Sequence, residues 1–127
     1  MSYTGSLIDS SPTRAFTTAD SLAGGAFTAV ALTENGVVTA GASSIPIGII
    51  TAEYDLPVQA GEDITAQVTG GSLLLVSEAV KAGDQITVDA GGIGKKATSG
   101  KYVFAMALAN GAASSAVPVQ IIHGGKA

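Results

Sequence analysis

Cysteine and tryptophan are absent from this 127-residue chain, and histidine occurs once, as His123. Without thiols the protein has neither a disulfide framework nor a thiolate zinc site. A single histidine also excludes a histidine-rich metal site, so no cofactor is expected. Aromatic residues make up only 5% of the chain. They are too few and too scattered for the stacking platform on which single-stranded nucleic acids bind.

Charged residues are also scarce, at 13%, and the net charge is -4. A nucleic-acid-binding protein would need a basic face, so nucleic acid is not an expected partner. The charge is unevenly placed: residues 1–89 hold ten acids and two bases (-8), whereas residues 90–127 hold four lysines and no acid (+4). This asymmetry is either chance on a sparsely charged chain or a sign that opposite patches meet across a subunit contact.

No long apolar run is present. The longest candidate, residues 45–50, is far shorter than the roughly 20 residues that span a bilayer. The N-terminus lacks the basic start and apolar core of a signal peptide. We therefore expect synthesis in a cytoplasm and no membrane partner.

What the chain has instead is small residues: Ala, Gly, Ser and Thr account for 63 positions. The length suits one domain with a core of small and β-branched side chains. We expect this domain at residues 22–127, preceded by an arm at residues 1–21 that is rich in Ser and Thr. The arm is either a frayed terminus or an extended segment that orders on a neighbouring molecule. In the second case its candidate contacts with that neighbouring molecule are Tyr3, Leu7, Ile8, Arg14 and Phe16.

A short pattern, Ala-Gly-x-x-apolar-Thr, occurs three times, at residues 23–28, 60–65 and 82–87. Each copy is followed by a glycine turn signal, which is Asn35-Gly36, Gly70-Gly71 or Gly91-Gly92. Glycine supplies the positive φ that tight turns need, and the apolar-Thr pair starts an alternating strand. The pattern predicts three hairpins, hence an all-β meander or small barrel.

Further strands are predicted at residues 46–52, 102–109 and 117–122. In residues 102–109 large and small side chains alternate with the period of a strand. Pro118 favours an edge position for the last strand. Residues 73–82 suit a short helix or a buried strand, and the strand is preferred.

Motifs that carry catalytic chemistry are lacking. Residues 92–97 match the loose dinucleotide pattern Gly-x-Gly-x-x-Ala but lead towards a predicted strand, where that motif needs a helix. The carboxylate pairs Glu53/Asp55 and Glu62/Asp63 are typical of solvated turns. His123 is expected to face solvent near the chain end, without a nucleophile-elbow sequence. We do not expect an enzyme.

Three segments carry a family resemblance: residues 46–50 (PIGII), 60–65 (AGEDIT) and 79–92 (AVKAGDQITVDAGG). Together they resemble the small capsid decoration, or cement, proteins of tailed bacteriophages, over about residues 22–122. A second apolar-Gly-apolar strand of that pattern is not matched, because residues 103–106 contain no glycine.

The resemblance implies a small β-barrel or β-tulip domain with an extended N-terminal arm. It also implies a virion structural protein on the outer capsid surface that bridges subunits of the major capsid protein and stabilises the expanded head. Such proteins are commonly homotrimers, with dimers possible. Two alternatives stay open: a tail or fibre-base virion component, and a small surface- or carbohydrate-binding β module that would use Tyr54.

Overall fold

The structure, a computed structural model, describes residues 13–22, 24–51 and 58–126. These residues form ten strands and one short 3-10 turn, so the all-β prediction is confirmed. No helix in these ranges is long and apolar enough to cross a membrane. The strands are β1 (Thr13–Thr17), β2 (Ala29–Thr33), β3 (Gly36–Thr39), β4 (Pro46–Ile50), β5 (Asp63–Gln67), β6 (Gly70–Leu75), β7 (Gln85–Asp89), β8 (Ile93–Lys96), β9 (Tyr102–Ala107) and β10 (Ala116–Lys126), with the 3-10 turn at Ala90–Gly92.

The strands form two antiparallel five-stranded sheets, and the second repeats the topology of the first. Their orders are β1-β5-β4-β2-β3 and β6-β10-β9-β7-β8. Adding five to each strand number of the first order yields the second. We call residues 13–67 the first half and residues 70–126 the second half.

Each sheet is closed on itself at the same place. Thr18, after β1, forms a parallel bridge with Val37 in β3, and Val76, after β6, forms a parallel bridge with Gly94 in β8. The outer strands of each sheet therefore meet. The predicted small barrel is present twice, as two barrel-like halves in tandem.

Of the three predicted hairpins, two are confirmed and one is wrong. β2 pairs with β3, and β7 pairs with β8. β5 and β6 do not pair, although only residues 68 and 69 separate them. A strand has two edges, and both edges of β5 are already hydrogen-bonded, to β1 and β4. The chain instead crosses to the second half at Gly70, which has a φ of 82°.

The predicted edge position of Pro118 is also wrong. Its strand, β10, lies between β6 and β9. The backbone N–H of Leu108 donates to the Pro118 carbonyl at 2.8 Å. In a hydrogen-bonded antiparallel pair, each of the two opposed residues donates its N–H to the carbonyl of the other. The bond that Pro118 cannot donate would therefore have gone to the Leu108 carbonyl. Because β9 ends at Ala107, the proline costs the ladder no bond between named strands.

The predicted boundary between arm and domain at residue 22 does not hold for Thr13–Thr17. These residues are β1, which pairs with β5 over five successive residues. Thr18 follows as a buried residue whose hydroxyl donates to the carbonyls of Gln59 and Glu62 at 2.9 and 3.0 Å. Residues 13–22 are thus an integral part of the first half.

Small residues bring the two halves into close contact. Ala29, Ala31 and Ala40 of the first half belong to the same buried cluster as the core of the second half. The backbone N–H of Gly92 donates to the Ala40 carbonyl at 2.9 Å. A Cβ added at Gly92 would lie 2.4 Å from the Ala29 carbonyl oxygen. The alanine- and glycine-rich composition is therefore used where backbones approach directly.

Candidate interaction surfaces

The glycine-rich residues 92–97 do not form a phosphate-binding loop. Residues 93–96 of this segment are β8 itself, which pairs with β7. Lys95 of this segment contacts the Asp89 carboxylate at 3.1 Å. The segment thus forms a hairpin rather than the strand-to-helix turn that a dinucleotide needs.

The carboxylate of Asp89 has a pKa below its usual value. A hydrogen bond from the Ala90 backbone, followed by the hydrogen bond and charge of Lys95, lowers that pKa. Asp89 and Lys95 lie at the tip of the β7–β8 hairpin and are half-buried. The arrangement stabilises the hairpin tip.

Of the two predicted carboxylate pairs, the structure describes only Glu62/Asp63. Glu62 accepts a hydrogen bond from the Gln59 backbone N–H at 2.8 Å, and Asp63 accepts one from the Thr17 hydroxyl at 2.9 Å. Both acids therefore fix a turn and a strand pair. Glu53 and Asp55 lie outside the described residues. Within the described ranges, no group of three or more metal-ligating side chains is present.

His123 is engaged more than the sequence suggests. Its Nε2 lies 2.9 Å from the Val68 carbonyl oxygen, and its Nδ1 lies 3.2 Å from the Tyr102 hydroxyl. Since a carbonyl only accepts, Nε2 carries the proton and Nδ1 of the neutral ring accepts from Tyr102. The ring also packs edge-on against Phe104, with centroids 5.4 Å apart. Burial raises the pKa of Tyr102.

This contact has a structural role. Val68 lies in the two-residue connection between the halves, whereas His123 and Tyr102 lie on β10 and β9. The imidazole thus ties the connection to the second half. The expected exposure of His123 is confirmed, and the fold gives the ring partners by bringing Val68 and His123 together from positions 55 residues apart in sequence.

An open cleft of about 340 Å³ lies on the surface of the described chain. It lies between the β3–β4 loop and the β8–β9 loop, which are equivalent loops of the two halves. The end of β10 contributes Lys126, which pairs with Tyr102 across the ladder. Its lining residues are Ala42, Ser43, Ser44, Ile45, Gly100, Lys101, Tyr102 and Lys126.

The cleft combines an apolar group with positive charge. Ile45 is 67% exposed, more than the other large apolar side chains noted as exposed, which are Leu32, Leu108 and Ile122. Lys101 and Lys126 supply two cations, and no acid is among the described residues that line the cleft. Two of the four lysines that give residues 90–127 their positive charge therefore line this cleft.

Sequence reasoning missed this cleft because its two loops are more than fifty residues apart. Two features of the sequence pointed towards the cleft: the excess of lysine after residue 89, and the apolar Ile45 just before Pro46. Neither feature shows that the two loops are neighbours. That proximity follows from the packing of the two halves.

The predicted contact residues of the N-terminal segment are only partly described. Tyr3, Leu7 and Ile8 lie outside the described residues. Arg14 is exposed on β1. Phe16 is half-buried and packs against the core of its own first half. Part of its apolar surface is thus used within the chain, and contact of these residues with another molecule stays a prediction.

Comparisons with known proteins give a likeness in structure. No protein-family model matches the sequence, and no curated protein matches it significantly. Among solved structures, the chain is similar to the N base of the head fiber protein gp8.5 of bacteriophage phi29. The TM-score is 0.69 at 15% sequence identity, and the match covers 91% of this chain and 96% of that chain. The two chains share a fold over nearly their whole lengths.

Proposed function

We propose that this protein is a bacteriophage virion structural protein that attaches to the outer surface of the head. The observation that carries the proposal is the fold shared over 91% of the chain with a phage head fiber base. The phage-head resemblance of residues 46–50, 60–65 and 79–92 supports it independently. In this role the protein contacts the major capsid protein and needs no cofactor and no catalytic group.

In its finer form, the proposal is capsid decoration. Copies of the chain, associated as trimers or dimers, bridge neighbouring capsid subunits and stabilise the expanded head. Occupied sites stabilise an assembly by mass action, so a modest interface repeated over many copies suffices. The fold supports this role by presenting loops on two sheets that are each closed by a bridge between their outer strands.

A second candidate function is the base of a head fibre, favoured by the description of the structurally similar protein. The two roles differ in copy number and in effect on the head. A decoration protein occupies the head at a copy number comparable to that of the major capsid protein and raises the resistance of the head to rupture. A fibre base attaches a further segment and leaves head stability unchanged.

The test is quantitative mass spectrometry of purified virions, followed by addition of purified protein to heads that lack it. For decoration we expect a copy number comparable to that of the major capsid protein. The added protein should also co-sediment with the heads and raise the temperature at which they rupture. Binding without a change in rupture temperature indicates a fibre base. Absence from virions, together with no binding to heads, contradicts both roles and favours the β-module alternative.

A deletion variant tests the predicted N-terminal contacts. The deletion must stop at residue 12, because β1 begins at Thr13 and Thr18 forms the bridge to Val37. A longer deletion, of residues 1–20, would remove both. We expect the variant lacking residues 1–12 to keep the melting temperature of the full chain and to bind heads more weakly. Unchanged binding would show that Tyr3, Leu7 and Ile8 are not contacts.

A further inference from the structure

We propose that Asn35, at the tip of the β2–β3 hairpin, is a site of spontaneous conversion to aspartate and isoaspartate, and that this conversion loosens the closure of the first half. The chain has two asparagines, Asn35 and Asn110, and glycine follows each of them. Asn-Gly is the dipeptide in which this conversion is chemically easiest, because glycine has no side chain to hinder the attack. The sequence therefore marks both positions equally, and the structure distinguishes them.

The reaction requires the asparagine side chain to fold back on the next backbone nitrogen. That nitrogen attacks Cγ of the side chain, a C–N bond forms, and the side-chain amide leaves as ammonia with the proton of the attacking N–H. The cyclic imide so formed takes up one water. Opening of its bond to Cγ gives aspartate, and opening of its bond to the main-chain carbonyl carbon gives isoaspartate. Hydrogen bonds that hold either reacting group therefore slow the first step.

Both reacting groups are held at Asn110. Its side-chain Oδ1 accepts a hydrogen bond from the Ala82 backbone N–H at 2.9 Å. The N–H of Gly111 donates to the carbonyl of the buried Val80 at 2.9 Å, and the Val80 N–H donates back to the Gly111 carbonyl at 2.9 Å. Since Asn110 is itself exposed, these hydrogen bonds, and not burial, protect it.

The side chain of Asn35 lacks such a restraint. Among the described residues no hydrogen-bond partner is found for its amide, while its backbone N–H contacts the Thr33 hydroxyl at 3.3 Å. Gly36 pairs with Thr33 as the last pair of the hairpin. A terminal pair beside solvent opens at a small cost in free energy, unlike a buried one. The exposed side chain can therefore reach the Gly36 nitrogen.

The product would alter the place where the first half closes. Gly36 lies directly against the end of β1, because a Cβ added to it would lie 2.3 Å from the Thr17 carbonyl oxygen. The next residue, Val37, forms the closing bridge with Thr18, and its carbonyl accepts from the Ala19 N–H at 2.9 Å. Isoaspartate carries the main chain through Cγ, so it adds one methylene to the backbone immediately before Gly36. We expect this close contact to be displaced.

The experiment is peptide mapping by mass spectrometry of the full chain, stored at mildly alkaline pH and body temperature. Conversion is expected about tenfold faster at Asn35 than at Asn110, as a restraint of one to two hydrogen bonds implies. In denaturant the two rates should be similar, because only the fold protects Asn110. Asn35→Gln is the matched control and should stay unmodified, since glutamine would have to form a larger ring. Equal rates in the folded chain, or conversion at Asn35 only in denaturant, would overturn the proposed site.

A second measurement tests the effect on closure. Ion exchange followed by hydrophobic-interaction chromatography isolates the isoaspartate form, which carries one more negative charge than the original chain. It is expected to melt at a lower temperature than the Asn35→Asp variant, which has the same charge and an unaltered backbone. Equal melting temperatures would overturn the proposed loosening. Neither measurement uses heads, so their failure leaves the proposed function untouched.

Discussion

Phe27 and Gly83 occupy the same backbone position in the two halves. Each donates its N–H to the carbonyl of the last residue of a strand, Ile50 at 2.7 Å and Ala107 at 2.8 Å. Each also has a left-handed backbone, with φ of 69° and 90°. The repeated topology thus imposes the same unusual conformation, on a glycine in one half and on a partly buried aromatic residue in the other.

The first prediction concerns this conformation. A Cβ at Gly83 would meet nothing within 4 Å, so Gly83→Ala tests backbone strain alone. We expect it to lower the free energy of unfolding by about 1 kcal/mol. Gly41→Ala, at a position without positive φ, should cost nothing measurable. Chemical denaturation of both variants makes the comparison, and equal stabilities would show that Gly83 is not needed for its φ.

The second prediction concerns the position where the first half has Val58 and the second half has Gly111. A Cβ at Gly111 would lie 2.2 Å from Cγ2 of the buried Val117. Gly111→Ala should therefore cost about 1 to 3 kcal/mol by overpacking. Val117→Ala opens space beside it, so the double variant should be more stable than the sum of the two single effects predicts. Strict additivity would show that the two side chains do not share this space.

The third prediction concerns His123, which joins Val68 and Tyr102. His123→Ala should lower the free energy of unfolding by about 1 to 2 kcal/mol, because two hydrogen bonds are lost. Tyr102→Phe removes only one of them and should cost about half as much. In a double-mutant cycle the two effects should be less than additive. An unaffected melting temperature for His123→Ala would exclude a structural role for the contact.

The fourth prediction concerns pH. The pKa of Asp89 is lowered from 3.8, so the folded state favours its ionised form. Its contribution is present above the ordinary carboxyl pKa and is lost as the pH falls through the lowered value. Asp89→Asn should flatten the fall in stability below about pH 4, and Lys95→Gln should flatten it partly. Denaturation curves between pH 7 and 2 check this, and an unchanged slope for Asp89→Asn would contradict it.

Local features of the sequence indicated local structure well. Asn35-Gly36 and Gly91-Gly92 lie at hairpins, as expected. Thr33 pairs with Gly36 across the residues 34 and 35, and Asp89 pairs with Ile93 across the 3-10 turn at Ala90–Gly92. The glycines at 70 and 71 carry the same local signal. They form no hairpin, because the strand before them has no free edge. Which edges are free is a property of the whole sheet, and no local pattern encodes it.

The repeat illustrates the same limit. The sequence pattern aligns residues 23–28, 60–65 and 82–87, whereas the fold aligns Phe27 with Gly83 and Leu22 with Val80. Short turn-and-strand signals recur wherever a strand begins, so their spacing does not mark the unit of duplication. That unit is a closed five-stranded ladder, visible only in the pairing.

By itself, the sequence determined the all-β class and the small-residue core, because these follow from composition and from the period of side chains along a strand. The tertiary structure alone decided that there are two barrel-like halves, that β1 belongs to the first, and that His123 joins β10 to the connection between them. It also decided that Ile45, Lys101 and Lys126 share one cleft. These relationships join residues far apart in sequence, and only the packing of closed sheets places them together.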